Sequence, residues 1–246
     1  MTPPVKPSSS ATPHARKARD AAPRPDRKQA ILLAAEKLFA THGYHAVTIR
    51  QIADEAGVPL ALVGYYYGQK HELFHAIFVH WSGTIEQRLA ELAEAQRLPH
   101  DPHKLHRIVE AFIGPVLRLR ASPEGEYYAR LVSQGLSVHS EVGDPVLREF
   151  FDPLAHAFIA ALQQTLSADS PSVTRSTVAW CYQFALGALL HHIHDQRVTR
   201  LSGGDVLAND PAAAPLLVAF IVHGMRGVIT HAAVPLPPSA KKRRQP

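Results

Sequence analysis

The chain of 246 residues has one cysteine, Cys181, which leaves no partner for an intrachain disulfide and too few thiolates for a cysteine-rich zinc site. No run of about eighteen uncharged apolar residues occurs, which argues against a membrane span and for no membrane partner. The basic, Pro-rich N-terminus has no apolar stretch behind it and does not read as a secretory leader, so the expected location is cytoplasmic. No Gly-rich phosphate loop appears, since Gly203-Gly204 falls in a short turn. There is no Gly-x-Ser-x-Gly elbow, no internal repeat, and no alternating apolar/polar run long enough for a strand. These absences leave an all-α class with no expected cofactor, metal or catalytic constellation.

What is present is 46% apolar and 19% charged, enough for a packed core. The net charge of +5 is unevenly spread. Residues 1–75 hold ten Lys/Arg against six Asp/Glu, residues 76–240 hold twelve against fifteen, and Lys241 to Arg244 add four more positive charges. A basic N-terminal part on a mildly acidic body suits a polyanion partner, or simply a solvated tail. Residues 1–24, with five prolines and the Ser8-Ser9-Ser10 run, and residues 234–246 cannot bury a core and read as disordered basic extensions. Between them the spacing is helical. Ile31, Ala35, Leu38 and Phe39 share a face before Gly43; Asp101-Pro102, Asp144-Pro145, Asp152-Pro153, Ser170-Pro171 and Asp210-Pro211 punctuate helices near 102–121, 145–168, 171–197 and 211–232. Pro153 is expected to interrupt the second of these helices and Pro115 to kink the first.

Residues 48–67 carry the most information. Thr48 suits an N-cap, Ile49, Ile52 and Ala53 form one face, Gly57 breaks the chain, and Val58, Leu62 and Val63 face back. This is either a plain helical hairpin or a helix-turn-helix whose second helix enters the DNA major groove. With Ile31, Ala34-Ala35, Leu38-Phe39, Gly43-Tyr44, Thr48-Ile49, Ile52-Ala53, Ala56-Gly57-Val58, Tyr65, Tyr67-Gly68, Lys70 and Leu73, the segment from Ile31 to Phe78 resembles the DNA-binding domain of TetR-family transcriptional regulators. The resemblance implies a three-helix DNA-binding domain over 25–75 and a larger helical effector-binding and dimerisation domain over 76–233. Its implied function is a regulator, in the first instance a ligand-released repressor, acting as a homodimer on a double-stranded palindromic operator.

The resemblance also implies roles at matching positions. Thr48 and Lys70 would hold phosphates, Tyr65 and Tyr66 would reach the DNA backbone, and Arg50 would meet phosphate or base. Base readout would fall to the outward residues of 59–64, but Pro59, Leu60, Ala61 and Gly64 stand where polar groups are frequent. Donors to base edges are therefore scarce, and Leu60 and Ala61 can only touch thymine methyls. Arg50, DNA shape or the basic arm ending in Arg27 and Lys28 would then carry more of the specificity.

In the body, Trp81, Phe112, Tyr127, Tyr128, Phe158 and Phe184 are candidates for an effector pocket, with plain core as the alternative. Arg118, Arg120, Arg130 and His139 could meet an anion or make surface ion pairs. The effector itself is a small molecule the sequence leaves unnamed. The family pairs its last two helices across the dimer, which points to Gly187, His191, Leu217, Ile221, Gly224 and Val228. Two rival readings rest on histidine. His191, His192 and His194 could make a metal-sensing regulator, and His71-Glu72-x-x-His75 matches the zinc-hydrolase pattern, with Glu72 as general base. His100, His103 and His106 read as a solvated face at a helix start.

Overall fold

The computed structural model describes residues 26–97, 101–137 and 141–230. Both basic ends, His100 and His139 lie outside these residues. Among the described residues there are twelve α-helices, one 3-10 turn and no strand.

The N-terminal bundle is built from α1 (Arg27–His42), α2 (Ile49–Glu55) and α3 (Leu60–Tyr67), with α4 (Lys70–His80) leading away. Local chemistry sets each start. Asp26 accepts the Lys28 N–H at 3.0 Å. Thr48 and Gln51 form a reciprocal capping box, and Gln69 and Glu72 form a second one. Gly57 turns the chain between α2 and α3 at φ +64°, a left-handed conformation that side chains with a Cβ resist. Ile31, Phe39, Ile52, Val63, Leu73 and Ile77 are fully buried between these helices.

The body comprises α5 (Ser82–Gln96), α6 (Lys104–Ala121), α7 (Glu126–Ser137), α8 (Gly143–Phe150), α9 (Asp152–Asp169), α10 (Arg175–His194), α11 (Arg197–Leu201), a 3-10 turn (Pro211–Ala213) and α12 (Ala214–Thr230). The interruption expected at Pro153 is real: Phe151 caps α8 and Pro153 lies in the first turn of α9. Pro115 sits inside α6, which continues unbroken to Ala121. The helix expected from 171 begins later, because Ser170 closes α9 and the cap is Thr174, whose hydroxyl accepts the Thr177 N–H at 3.2 Å. Helix α7 is a further element beyond those expected, and the Ser122-Pro123 pair precedes it, with the Ser122 hydroxyl accepting the Gly125 N–H at 3.0 Å.

One hydrophobic core fills the body around Ile108, Phe112, Phe158, Leu162 and Leu189. The other belongs to the N-terminal bundle, yet it includes Tyr128, Leu131 and Val146 from α7 and α8. Helix α4 runs straight through the boundary expected at residue 75, and α7 packs along α1, where Gln134 donates to the Ala40 carbonyl at 3.0 Å. The two halves are thus joined by packing as well as by chain.

The centre of that junction is Glu36. It is 2% exposed, and its carboxylate accepts the Trp81 indole N–H at 2.8 Å. Trp81 in turn stacks on Tyr128 with ring centroids 5.2 Å apart. Burial pushes the Glu36 carboxyl up to about 7, against the smaller opposing effects of the Trp81 and Tyr128 N–H groups. The folded state therefore keeps a proton that the unfolded chain releases near pH 4.5. The associated stability is complete below that value and is lost as pH rises to about 7, by roughly 3 kcal/mol. Glu36→Gln retains an acceptor for the indole and removes the titration. Urea denaturation at pH 5 and pH 8 should show the wild type losing more stability across this interval than the variant. Equal losses would mean that Glu36 does not carry a raised pKa.

Candidate nucleic-acid interface and ligand cavity

Helix α3 turns Val63 fully inward and half-buries Leu62 and Tyr67, so its opposite side is free. That exposed side presents Leu60, Ala61, Gly64, Tyr65 and Tyr66, with Pro59 just before it. The Tyr65 and Tyr66 rings meet edge to face at 5.1 Å. Arg50, in the first turn of α2, and Arg27, at the start of α1, are also exposed. The Tyr67 hydroxyl donates to the Lys28 carbonyl at 2.8 Å, tying the end of α3 to the start of α1. The chain therefore enters α1 beside the outward helix. Burial, followed by the Asp26 charge, pushes the Tyr67 phenol up to about 12, which keeps it a donor.

Two of the expected phosphate ligands have internal partners. The Thr48 backbone N–H and hydroxyl both donate to Gln51 Oε1 at 2.8 Å, and the Gln51 N–H donates to the Thr48 hydroxyl at 3.2 Å. Thr48 can thus offer either group to an anion only when the Gln51 side chain moves aside. Gln51 was missed in the sequence, although Thr48-x-x-Gln51 is itself the capping-box signature. Lys70 leans over Tyr44, its ammonium 4.3 Å from the ring centroid, and partial burial lowers its pKa. The aromatic support holds this cation at the N-terminus of α4, where the helix dipole also favours anions.

The body holds a partly open cavity of about 470 Å³, within the size range of small-molecule sites. Phe112 and Tyr128 line it. The other aromatic candidates fall elsewhere. Phe158 lies behind Phe112, edge to face at 5.2 Å, and is wholly buried. Trp81 and Tyr127 border a different cleft, against Lys37 and Glu55 of the N-terminal bundle. Phe184 is 58% exposed, stacks on Trp180 at 5.6 Å, and points away from the cavity. Of the four expected anion ligands, Arg118 reaches the cavity rim but pairs with Glu91 at 3.1 Å, and Arg120 pairs with Glu126 at 3.5 Å. Arg130 lies by His194 instead.

The sequence reading overlooked Arg88. It is 8% exposed and lines the cavity. Its guanidinium donates one hydrogen bond, to the Phe112 carbonyl at 3.1 Å, and lies 5.0 Å from the Phe112 ring centroid. Its Nε has no partner. Burial pulls it down to about 10, so it remains a cation at neutral pH. The Tyr128 hydroxyl, beside the Thr84 side chain, also lacks a hydrogen bond of normal geometry, and burial raises its pKa.

The histidines separate rather than converge. His191 is exposed and pairs with Asp195 at 3.1 Å, His192 is half-buried, and His194 contacts the Ser133 hydroxyl. His75 pairs with Glu149 at 3.0 Å, and Glu72 accepts the Gln69 N–H at 2.6 Å as a capping residue. Among the described residues, no three His, Cys, Asp or Glu side chains come together so as to hold a metal ion.

The outer face of α10 and α12 is apolar and open. Trp180 and Phe184 are exposed on α10, with Leu216 and Phe220, 76% and 71% exposed, on α12. Of the six residues expected at a dimer seam, Gly187, His191 and Gly224 lie on the exposed surface and Leu217 and Val228 are half-buried, but Ile221 is 4% exposed within the chain's own core. A Cβ added at Gly187, Gly224 or Gly227 would meet nothing within 4 Å in this chain. The segment Pro211–Thr230 is the one stretch among the described residues long and apolar enough to cross a membrane by length and composition. His223 and Arg226 interrupt its apolar character, which is why the sequence showed no unbroken apolar run.

Residues 31–77 match the family described as bacterial regulatory proteins, tetR family, and residues 110–224 match the tetracyclin repressor-like C-terminal domain. The HTH-type transcriptional regulator HbdR of Aromatoleum sp. is 34% identical over 91 residues, 37% of this chain and 39% of that protein. The HTH-type transcriptional activator FasR of Mycolicibacterium smegmatis is 32% identical over 91 residues, 37% of this chain and 40% of that protein. The match therefore spans about two fifths of each relative. The fatty acid degradation regulator FadR from Bacillus halodurans shares the fold, with a TM-score of 0.58 over 82% of this chain and 98% of that one, at 15% identity.

Thr48→Ala removes the hydroxyl half of the capping box and leaves the backbone N–H donating to Gln51. It should lower unfolding free energy by about 1 kcal/mol, read from the urea midpoint. Thr48→Asn retains a capping oxygen and should recover most of that loss. No difference between the two variants would show that the side-chain cap at this position contributes nothing to stability.

Proposed function

This chain belongs to the TetR family of transcriptional regulators and is a DNA-binding regulator of that class; from that premise we propose that it works as a homodimeric, ligand-released repressor. The observation that carries the ligand-released reading is the double position of Tyr128. Its ring lines the cavity and also packs into the core of the DNA-binding bundle, 5.8 Å from Phe78 and stacked on Trp81. A ligand that touches Tyr128 acts on the seam that orients α1 and, through it, α3. It needs no contact with DNA, only different affinities for two arrangements of the halves.

The homodimer reading rests on the apolar face of α10 and α12. Side chains this apolar and this exposed call for a partner surface. The glycines at 187, 224 and 227 let a second helix pair approach closely. A two-fold dimer also gives two copies of α3, which can engage half-sites about 34–36 Å apart. One short helix with few base-directed donors gains discrimination from that doubling. A cytoplasmic setting follows from DNA as partner. A bilayer is the competing occupant of the apolar helix, and sedimentation in detergent-free buffer separates the two readings.

Three outcomes are expected. The wild type sediments as a dimer at micromolar concentration without detergent, while Gly224→Arg yields helical monomers that bind an operator poorly. A wild-type monomer would remove the dimer from this account. Lys70→Ala weakens binding to all DNA sequences alike and flattens the dependence of log affinity on log salt by about one unit. A slope unchanged by the substitution would assign Lys70 to packing against Tyr44 alone.

A further inference from the structure

We propose that the ligand taken by the cavity is an amphipathic monoanion, an apolar chain or ring bearing one carboxylate, whose charged head pairs with Arg88 and accepts from the Tyr128 hydroxyl. The proposal rests on the reading of the cavity as an effector site and names the chemistry of its occupant.

The argument begins from an imbalance of charge. Arg88 is more than nine-tenths buried, carries five N–H donors, and spends one of them on the Phe112 carbonyl. The faces of Phe112 and Phe158 soften its desolvation but do not neutralise it. Among the described residues no carboxylate lies within ion-pair distance of it. Glu91, one turn along the same helix, is engaged by Arg118 and Gln87. Asp152, the acidic residue of the lining, is exposed. A buried cation without a counter-charge is among the costliest arrangements in a protein interior.

The second observation is independent of charge. The Tyr128 hydroxyl is the other buried polar group of the lining with a donor to spare, and burial keeps it protonated. Arg88 and Tyr128 line one cavity, with the Arg88 Nε and the Tyr128 hydroxyl themselves covered, and a small rotation of the two side chains brings an N–H fork and an O–H donor to the two oxygens of a carboxylate. Elsewhere the wall is mostly aliphatic and aromatic, with Ile85, Leu119, Leu154, Leu186 and Ile159 among its residues, and its further polar members include Thr84, Gln87, Ser133 and Gln183. The lining thus asks for one anionic head and an uncharged apolar remainder. A neutral lipid or drug would leave Arg88 unpaired, and a cation would be repelled.

The test is calorimetric titration of the full-length protein, without DNA, with octanoate, decanoate and 4-phenylbutyrate, each against its alcohol and its primary amine. At least one carboxylate should bind ten-fold or more tighter than its alcohol, and the amines should not bind measurably. Arg88→Met should remove that preference, leaving acid and alcohol within about three-fold of each other, and Tyr128→Phe should weaken the acid several-fold while sparing the alcohol. Arg88→Met should also raise the thermal midpoint of the ligand-free protein, an effect opposite to that of removing a structural residue. Should Arg88→Met fail to fold, Arg88→Lys keeps the charge, loses the fork, and should still prefer acid over alcohol by a smaller factor. Acids and alcohols binding the wild type alike, an Arg88→Met variant that keeps the preference, or no binding of any acid would each overturn the proposal. Operator release is measured separately. Acid that binds through Arg88 without releasing DNA leaves the head-group site standing and removes the ligand-released reading. Alcohol that binds and releases DNA as well as acid does the reverse.

Discussion

A carboxylate held out of water between two domains is the interaction on which the rest of this molecule depends. Glu36 belongs to the first helix of the DNA-binding bundle, yet its hydrogen-bond donor, Trp81, stands where that bundle hands over to the body. Without the indole and the nearby Tyr128 N–H the carboxyl would be buried unsatisfied, at a cost of some kilocalories per mole. α1 is therefore fixed to α4 and α7 by a polar contact that tolerates little displacement. The Trp81–Tyr128 stack extends the same contact to the cavity wall. Orientation of the outward face of α3 follows from this chain of contacts, because α3 is itself fastened to α1 through Tyr67 and Lys28.

The opposite end of the body is governed by what is left uncovered. α12 contributes Val218, Val222 and Met225 to the core while Leu216 and Phe220 face outward, so the helix is apolar around most of its circumference. A helix of that kind is suited to burial on both sides. The same composition lets it pass as a membrane span, and the open space at glycines 187, 224 and 227 leaves room for a second helix to approach closely in either setting.

The DNA-binding half was legible in the sequence because its determinants are local. A capping threonine, a glycine at positive φ and a few apolar spacings specify the hairpin of α2 and α3 without reference to the body. The body was legible only as helices. Phe112 and Phe184 are the same residue at comparable helical spacings, yet one lines the cavity and the other faces solvent, a choice made by which helices pack against α6 and α10. Ile221 looked like a seam residue for the same reason and lies in the chain's own core. α7 follows a Ser122-Pro123 pair, but Glu124 and Gly125 separate that pair from its first residue, so the signal sits off the helix start. Arg88 had no local signal at all. It sits in a helix otherwise rich in Glu and Gln, where an arginine reads as solvated, and only the fold of α6 and α9 over α5 takes it out of water.

The two buried ionisable groups then acquire a joint meaning. Arg88 and Glu36 lie on either side of Tyr128, one at the cavity wall and one across the Trp81 stack. A ligand can shift the protein between two arrangements only by as much as it binds one better than the other, and a hundred-fold shift requires about 2.7 kcal/mol of difference. Apolar burial is poorly suited to supply it, since a flexible tail repacks in either arrangement. An anion held at once by a guanidinium and a phenol is well suited, because charge-assisted hydrogen bonds weaken steeply with distance and angle. Binding that demands one spacing of Arg88 and Tyr128 also demands one position of Trp81, and the buried Glu36 cannot lose Trp81 without cost. On the proposed ligand-released reading, the polar seam sets the strength of the switch and the apolar wall sets which molecules reach it.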